Sequence, residues 1–476
     1  MLSSFPLSLV LLLSVSHSVI AAPNAPQGQY VPLVRRTLRA RSVEEWGEWA
    51  KAHREKLSAK YGDTEKRKRS TGTNLLTNQN SDSSFFGSLA IGTPPVSYNV
   101  ILDTGSADLW VADANCNVTC NGVATFNPTA SSTFSTTDLP FEISYGSGRA
   151  SGTLGADTIQ MAGFSVSNQT FGICDSVSDG LLTVPVSGLL GLAFKTIASS
   201  GATPFWQALV AGDAWDSPLM AFQLTRFLDD QTAQSLEFGG SFTMGFVNNT
   251  LFTGDIEYVD LATTASYWIL PLTSLTTQGT NLEVPTGPEA YAAIDTGTTL
   301  VGGPTRYMTE FYAQIPGAAP GTGNFEGYYT YPCATDVNVT MAFGGKNWAI
   351  SEADFRLTQL TQNQCLGAFF DLQTGRSAPS WIVGDTFLKN VYSVFRYDPP
   401  SVGFAQLSDA ALALNSANTP VPSATIGSVA ATVAATSTGQ PTAGNSAAPS
   451  RLAHPFMMSL VAVWAVSSMA GLVLLL

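Results

Sequence analysis

Val100-Ile101-Leu102-Asp103-Thr104-Gly105-Ser106 and Ala292-Ala293-Ile294-Asp295-Thr296-Gly297-Thr298 are two versions of one phrase. Each runs from three apolar residues into Asp-Thr-Gly and then a hydroxyl residue. The two aspartates stand 192 positions apart. Downstream of each lies an apolar-apolar-Gly step, Leu189-Leu190-Gly191 in the first half and Ile382-Val383-Gly384 in the second. The intervals from aspartate to glycine are 88 and 89 residues. A single Asp-Thr-Gly reads as a turn after a strand. Two copies with matched landmarks read as an internal duplication, in which two similar halves each present a carboxylate to one reaction centre.

The body around these motifs, roughly residues 80–408, is rich in Gly, Thr, Ser and Val. Short alternating runs such as Phe141-Glu142-Ile143-Ser144-Tyr145 and Tyr392-Ser393-Val394-Phe395 are separated by turn signals. Long amphipathic helical repeats are scarce. The pattern predicts a mostly β protein built of many short strands. The body exceeds the usual size of a single core. The duplication places the division near Asp255–Tyr258, giving an N-terminal lobe over 70–257 and a C-terminal lobe over 258–408.

The flanks differ in composition. Phe5–Ile20 is apolar and ends at Ala21-Ala22, so 1–22 reads as a secretory signal. Residues 23–69 carry 12 of the 22 Lys and Arg residues and close on Lys66-Arg67-Lys68-Arg69. Behind a signal and ahead of an acidic body, this run reads as a removable pro-segment cut after Arg69, not as a nucleic-acid patch. Residues 70–476 hold 10 basic and 29 acidic residues, a net of −19, which complements the pro-segment's charge. At the other end, 409–454 is rich in Ala, Ser, Thr and Pro and reads as a glycosylated stalk too poor in apolar surface to fold. Residues 455–476 are apolar to the last position. With small residues at Asn445-Ser446-Ala447 ahead of them, they match a glycosylphosphatidylinositol (GPI) attachment signal with Asn445 or Gly444 as the site, in preference to a membrane span. The expected location is the cell surface or wall.

Five cysteines fit that compartment. Cys116 and Cys120 are spaced to close a small loop, and Cys333 and Cys365 a longer one. Cys174 is left over and reads as a buried thiol. Sequons at Asn117, Asn168, Asn248 and Asn338 place those four positions on the surface if glycosylated.

Histidine narrows the chemistry. It occurs only at positions 17, 53 and 454, outside the body. Ser-His and Cys-His nucleophiles and His-ligated zinc are thereby excluded from the body. No Walker-type phosphate loop is present. Carboxylates remain as the acid–base groups, with no metal and no cofactor expected.

At this point the residues resemble those of the pepsin-like aspartic proteases, and among them the secreted, surface-anchored fungal members. The resemblance covers roughly 80–408. Asp103-Thr104-Gly105-Ser106-Ala107-Asp108-Leu109-Trp110 is similar to the family's first catalytic loop, and the stretch from Ala292 to Thr299 to its second. Ser144-Tyr145-Gly146-Ser147-Gly148 is similar to the family's flap. The resemblance implies a bilobal pepsin-like fold, two duplicated β lobes with a catalytic cleft between them. It implies an aspartic endopeptidase that takes protein or peptide substrates, works at acid pH and is a monomer. Asp103 and Asp295 are its expected catalytic pair. Gly105 and Gly297 bring backbone donors to the carboxylates, Ser106 and Thr298 hold the outer oxygens, and Thr104 and Thr296 interlock beneath. Tyr145 closes over substrate from the flap with its hydroxyl near Trp110, and Gly146, Ser147 and Gly148 form the tip.

Three positions depart from the family pattern, the first being Ser147, where Thr is usual. Arg149 follows the flap tip and reads either as a selector of acidic substrate side chains or as a solvated charge. Asp108 reads either as a selector of basic side chains or as a turn cap. Rival functions come from other classes. A glycosidase also uses paired carboxylates but does not explain the twin loops. A catalytically silent binding or inhibitor protein of the same fold is the stronger rival.

Overall fold

The computed structural model describes residues 70–116, 119–373, 379–423 and 429–435. The expected signal, pro-segment, Arg69 cleavage point, Asn117 sequon, Asn445 site and terminal apolar tail lie outside these residues.

Strands dominate the described chain. In the first half, strand Val96–Asp103 pairs in parallel with Gly188–Gly191, so that Asp103 lies opposite Gly191. Leu109–Ala112 then runs antiparallel along the other side of Gly188–Gly191. The second half repeats this arrangement. Tyr291–Ile294 pairs in parallel with Trp381–Val383, and Val301–Gly303 pairs antiparallel with it. The apolar-apolar-Gly steps are therefore buttress strands, each wedged between the two arms of an Asp-Thr-Gly loop. They are apolar because they are covered: Leu189 and Leu190, on opposite faces of the first, are both buried, and in the second Val383 is buried and Ile382 half-buried. Gly191 sits where a Cβ would come within 2.4 Å of the Ala107 and Asp108 backbone, and Gly384 where one would meet the Thr298 carbonyl at 2.0 Å. These close approaches explain the glycine in each step.

The two halves share a sheet. Strands Phe252–Asp260, Ser401–Leu407, Val391–Arg396, Leu219–Leu224, Leu236–Met244 and Gly72–Gln79 lie side by side in that order. The proposed boundary at 257/258 falls inside the first of them. The main apolar cluster is continuous across this sheet and contains Trp206, Phe222, Trp268, Phe395 and Phe404. Indole N–H groups stitch its polar edges: Trp268 donates to the Leu192 carbonyl at 3.0 Å and Trp206 to that of Ala193 at 2.9 Å.

A buried ion cluster also ties the halves. The Lys389 ammonium lies 2.6 Å from Asp82 and 2.9 Å from Asp354. Arg226 grips Asp354 with both its Nε, at 2.8 Å, and its Nη2. Asp82 also accepts from the Phe227 backbone N–H at 2.8 Å. Disulfides Cys116–Cys120 and Cys333–Cys365 are present, and Cys174 is a buried free thiol.

After residue 408 the structure departs from the stalk reading. Ser408 caps a short helix, Asp409–Leu412. Asn415 accepts from the Arg226 backbone N–H at 3.0 Å, and the Ser416 N–H donates to the Arg226 carbonyl at 2.9 Å. Residues Ala431–Ala434 form a strand parallel to Phe164–Ser167. Low-complexity composition hides this strand because it needs only four residues and one buried side chain, Val433.

Burial pushes the Asp354 carboxyl up, but Lys389 and Arg226 together outweigh it and leave its pKa below the usual value. A lowered folded-state pKa gives stability that is present above the ordinary carboxylate range and lost as pH falls through the folded value. We expect Asp354→Asn to cost about 3 kcal/mol near pH 6, because it leaves two buried cations short of a partner. Denaturant melts of wild type and variant should converge as pH falls below the ordinary carboxylate range.

Candidate active site

Each Asp-Thr-Gly loop leaves the end of its strand and turns back along its buttress, which brings Asp103 and Asp295 face to face. Both are almost fully buried. The first carboxylate accepts from Gly105 N–H at 2.7 Å and Ser106 Oγ at 2.5 Å. The second accepts from Gly297 N–H at 2.9 Å and Thr298 Oγ1 at 2.7 Å. The same two-bond pattern is thus built twice. Gly105 and Gly297 have a further role. A Cβ on Gly105 would sit 2.6 Å from the Asp295 carboxyl, and one on Gly297 would sit 2.3 Å from Asp103 Oδ1. Only glycine lets each loop approach the opposite carboxylate.

Beneath the pair the threonines cross over. Thr104 N–H donates to Thr296 Oγ1 at 3.1 Å, and Thr296 N–H donates to Thr104 Oγ1 at 3.0 Å. Each hydroxyl then donates onward to a carbonyl of the opposite half, Thr104 to Ile294 at 2.8 Å and Thr296 to Leu102 at 2.6 Å. No charge is involved, so this lock is insensitive to pH.

The electrostatics follow from burial. Desolvation first, and then the Asp295 charge, push the Asp103 carboxyl well above the usual carboxylate range, against the bonds from Ser106 and Gly105. The two carboxyls are within hydrogen-bonding reach of each other. Such a pair keeps one proton where two isolated aspartates would keep none, and its titration belongs to both groups together.

Over the pair lies the hairpin of strands Ser135–Tyr145 and Gly148–Met161. Tyr145 is opposite Gly148 in the register, so Gly146 and Ser147 are the turn. Gly148 has φ +148°, and a Cβ there would meet Ser178 at 2.6 Å. The Trp110 indole donates to the Tyr145 hydroxyl at 2.8 Å, which aims the phenol at the carboxyls. Burial and then the Asp103 charge raise the Tyr145 pKa well above its usual value, so the phenol stays protonated.

The two open positions separate here. Asp108 is buried and accepts from the Ser199 N–H at 2.7 Å, the Ser200 N–H at 3.1 Å and the Ser200 hydroxyl. It caps that loop and does not face the cleft. Arg149 is exposed on the flap strand, opposite Ser144 in the hairpin and bonded through its backbone to Ser178. Burial, then Asp175 and Asp113, push the Cys174 thiol far above its ordinary pKa, so it is an unreactive core group. Asn168 and Asn338 are exposed and Asn248 half-buried, with the Thr250 hydroxyl donating to Asn248 Oδ1 at 2.7 Å. Among the described residues no cluster of three or more His, Cys, Asp or Glu side chains suits a metal.

Two residues at the site carry no role in the sequence reading. Tyr267 is half-buried, and its pKa is raised by burial, then by the charges of Asp295 and Asp103, so it stands near both carboxyls. Nothing local in Ser266-Tyr267-Trp268 marks it. Asp385 directly follows the second buttress glycine. Its N–H donates to the Thr298 carbonyl at 2.8 Å, while its side chain is buried with Oδ1 unpartnered. Burial pushes its pKa well up, Lys389 opposes this, and the Asp295 charge adds to it. A folded-state pKa above the unfolded value means that stability falls as pH rises between the two. Asp385→Asn should therefore gain about 1.4 kcal/mol over wild type for each pH unit above the ordinary carboxylate range, up to the folded pKa. Thermal melts near pH 3 should coincide, and by pH 6 the variant should melt higher.

The comparisons with known proteins agree with this geometry. The family model for eukaryotic aspartyl protease matches residues 84–407, ending before strand Ala431–Ala434. Major aspartyl peptidase 1 of Cryptococcus neoformans var. grubii is 46% identical over 351 residues, covering 71% of this chain and 72% of that protein. Aspartic protease of Phaffia rhodozyma is 34% identical, covering 71% of this chain and 80% of its own. Pepsin A of Sus scrofa is 32% identical, covering 69% of this chain and 82% of its own. With twin Asp-Thr-Gly loops, a flap above them and a family match across most of its length, the chain belongs to the eukaryotic aspartyl proteases and is an aspartic-type endopeptidase.

Proposed function

We propose that Asp103 and Asp295 hydrolyse peptide bonds in protein substrates at acid pH through a water held between them. The observation that carries this reading is the pair of buried carboxyls, each held by one backbone and one hydroxyl donor and facing the other. With one proton on the pair, the ionised carboxylate accepts a proton from the water as its oxygen attacks the peptide carbonyl carbon. The protonated carboxyl donates to the carbonyl oxygen, giving a neutral tetrahedral diol. Breaking the C–N bond then needs a proton on nitrogen, which the pair returns. No covalent acyl-enzyme forms.

Each hydrogen-bond donor keeps a carboxylate in one orientation, so little reorganisation is left for the reaction itself. Thr104 and Thr296 keep the halves in register, and Tyr145, aimed by Trp110, covers the substrate and excludes water. Ile101, Leu181 and Leu182 join Tyr145 as half-buried apolar side chains packed on one cluster. They suit an apolar substrate residue beside the scissile bond. Asp103→Asn and Asp295→Asn should each lower kcat by at least about 10²–10⁴-fold, the scale of general acid–base catalysis. The check is hydrolysis of denatured protein at pH 3–5, with the wild-type activity blocked by pepstatin. Wild-type protein inactive throughout that range would favour the silent binding reading.

The flanks support a surface zymogen. The apolar start and the basic 23–69 segment suit secretion and latency, and the apolar terminus suits a GPI anchor. The pro-segment's 12 basic residues oppose a body of net charge −19. Acid weakens that attraction by protonating carboxylates. Neutralising the pro-segment's Lys and Arg residues short of the 66–69 run should yield chain active without an acid step. Unchanged latency at pH 7, assayed with a peptide substrate, would remove electrostatics from the account.

A further inference from the structure

The segment Val429–Ala435 lies within the expected stalk, yet it is built into the body. Ala431, Thr432, Val433 and Ala434 pair in parallel with Phe164, Ser165, Val166 and Ser167. The Ala430 N–H donates to the Gly163 carbonyl at 2.6 Å, and the Ala435 N–H donates to that of Ser167 at 3.0 Å. The Ser167 hydroxyl donates to the Val433 carbonyl at 3.3 Å. Val433 is 2% exposed and belongs to the main core cluster. Its seat is the end of helix Phe205–Ala211, where Gly212 makes room: a Cβ on Gly212 would lie 2.4 Å from Val433 Cγ1. Hydrogen bonds, a filled apolar socket and a glycine that opens it are the marks of strand addition to a sheet edge.

We propose that Val429–Ala435 is a self-docking strap, and that the edge at Phe164–Ser167 is its dedicated seat. The consequence is geometric. Phe164–Val177 is one 14-residue strand. The strap occupies its first four positions, and Val177 at the other end pairs with Ala150, next to the flap. At ~3.3 Å per residue Ser167 and Val177 are at most roughly 33 Å apart. Because the pairing is parallel, the strap runs from Phe164 toward Ser167, in the direction of the flap end, and its last paired residue lies beside Ser167. An enzyme held by its C-terminus is then held through the Phe164–Ser167 edge. This last consequence rests on the anchored reading; the strap itself does not.

The test is hydrogen exchange on the full chain, comparing wild type with Val433→Asp and Gly212→Val, which unseat the strap from opposite sides. Slow exchange over Phe164–Ser167 in wild type should become at least tenfold faster in both variants, with Ile173–Val177 unchanged and peptide hydrolysis retained. Fast exchange in wild type, or slow exchange in both variants, overturns the proposal. A Ser167→Cys, Ala434→Cys pair provides a second readout. A disulfide within one chain is the expected product. A disulfide-linked dimer would show that a second copy fills the seat, and would overturn self-docking. Neither readout depends on surface attachment, so release of the chain from cells bears on the anchor alone.

Discussion

The cleft depends on two threonine side chains that each bond to the opposite half. Thr104 and Thr296 exchange backbone-to-hydroxyl hydrogen bonds, and their own hydroxyls donate to the Ile294 and Leu102 carbonyls. Each threonine directly follows an aspartate, so a shift of one loop against the other moves one carboxyl relative to its partner. Side-chain bonds between neutral groups suit this task beneath a pair of titrating carboxyls. They neither titrate nor weaken with salt, unlike an ion pair in the same place.

Above that lock the fold accumulates an electrostatic cost. Bringing two carboxyls together out of water disfavours ionising both. Donors from Gly105, Ser106, Gly297 and Thr298 stabilise the ionised form in part. Asp385 adds a third buried acid next to Asp295 with no counter-ion dedicated to it. The cluster of Lys389, Asp82, Asp354 and Arg226 is the opposite case, where each buried charge faces another of opposite sign. The chain thus separates acids that are to hold protons from acids that are to stay ionised. It does so through what each packs against.

What the sequence discloses and what it hides divide along the same physical line. The Asp-Thr-Gly loops and buttress glycines are local patterns repeated at matched spacing, and their geometry is fixed by a few neighbouring residues. The mostly β architecture follows from short alternating runs. Tyr267 and the partners of Asp108 are long-range facts, because Ser199 and Ser200 lie more than ninety residues from Asp108. No local pattern announces them. The Asp82–Lys389 pair spans 307 positions and is equally silent. The strap was hidden for another reason. Its Ala-Thr-Val-Ala core reads as more of the surrounding low-complexity chain, and only the socket beside Gly212 gives Val433 a reason to be buried.

The central claim is that Asp103 and Asp295 act as one unit sharing one proton. The most direct measurement is the pH dependence of kcat/KM on a short neutral peptide. Shared-proton chemistry predicts a bell with two ionisations, in which rate falls at low pH when both carboxyls are protonated and at high pH when both are charged. A profile with a single ionisation would contradict it, because one carboxyl acting alone loses activity on one side only.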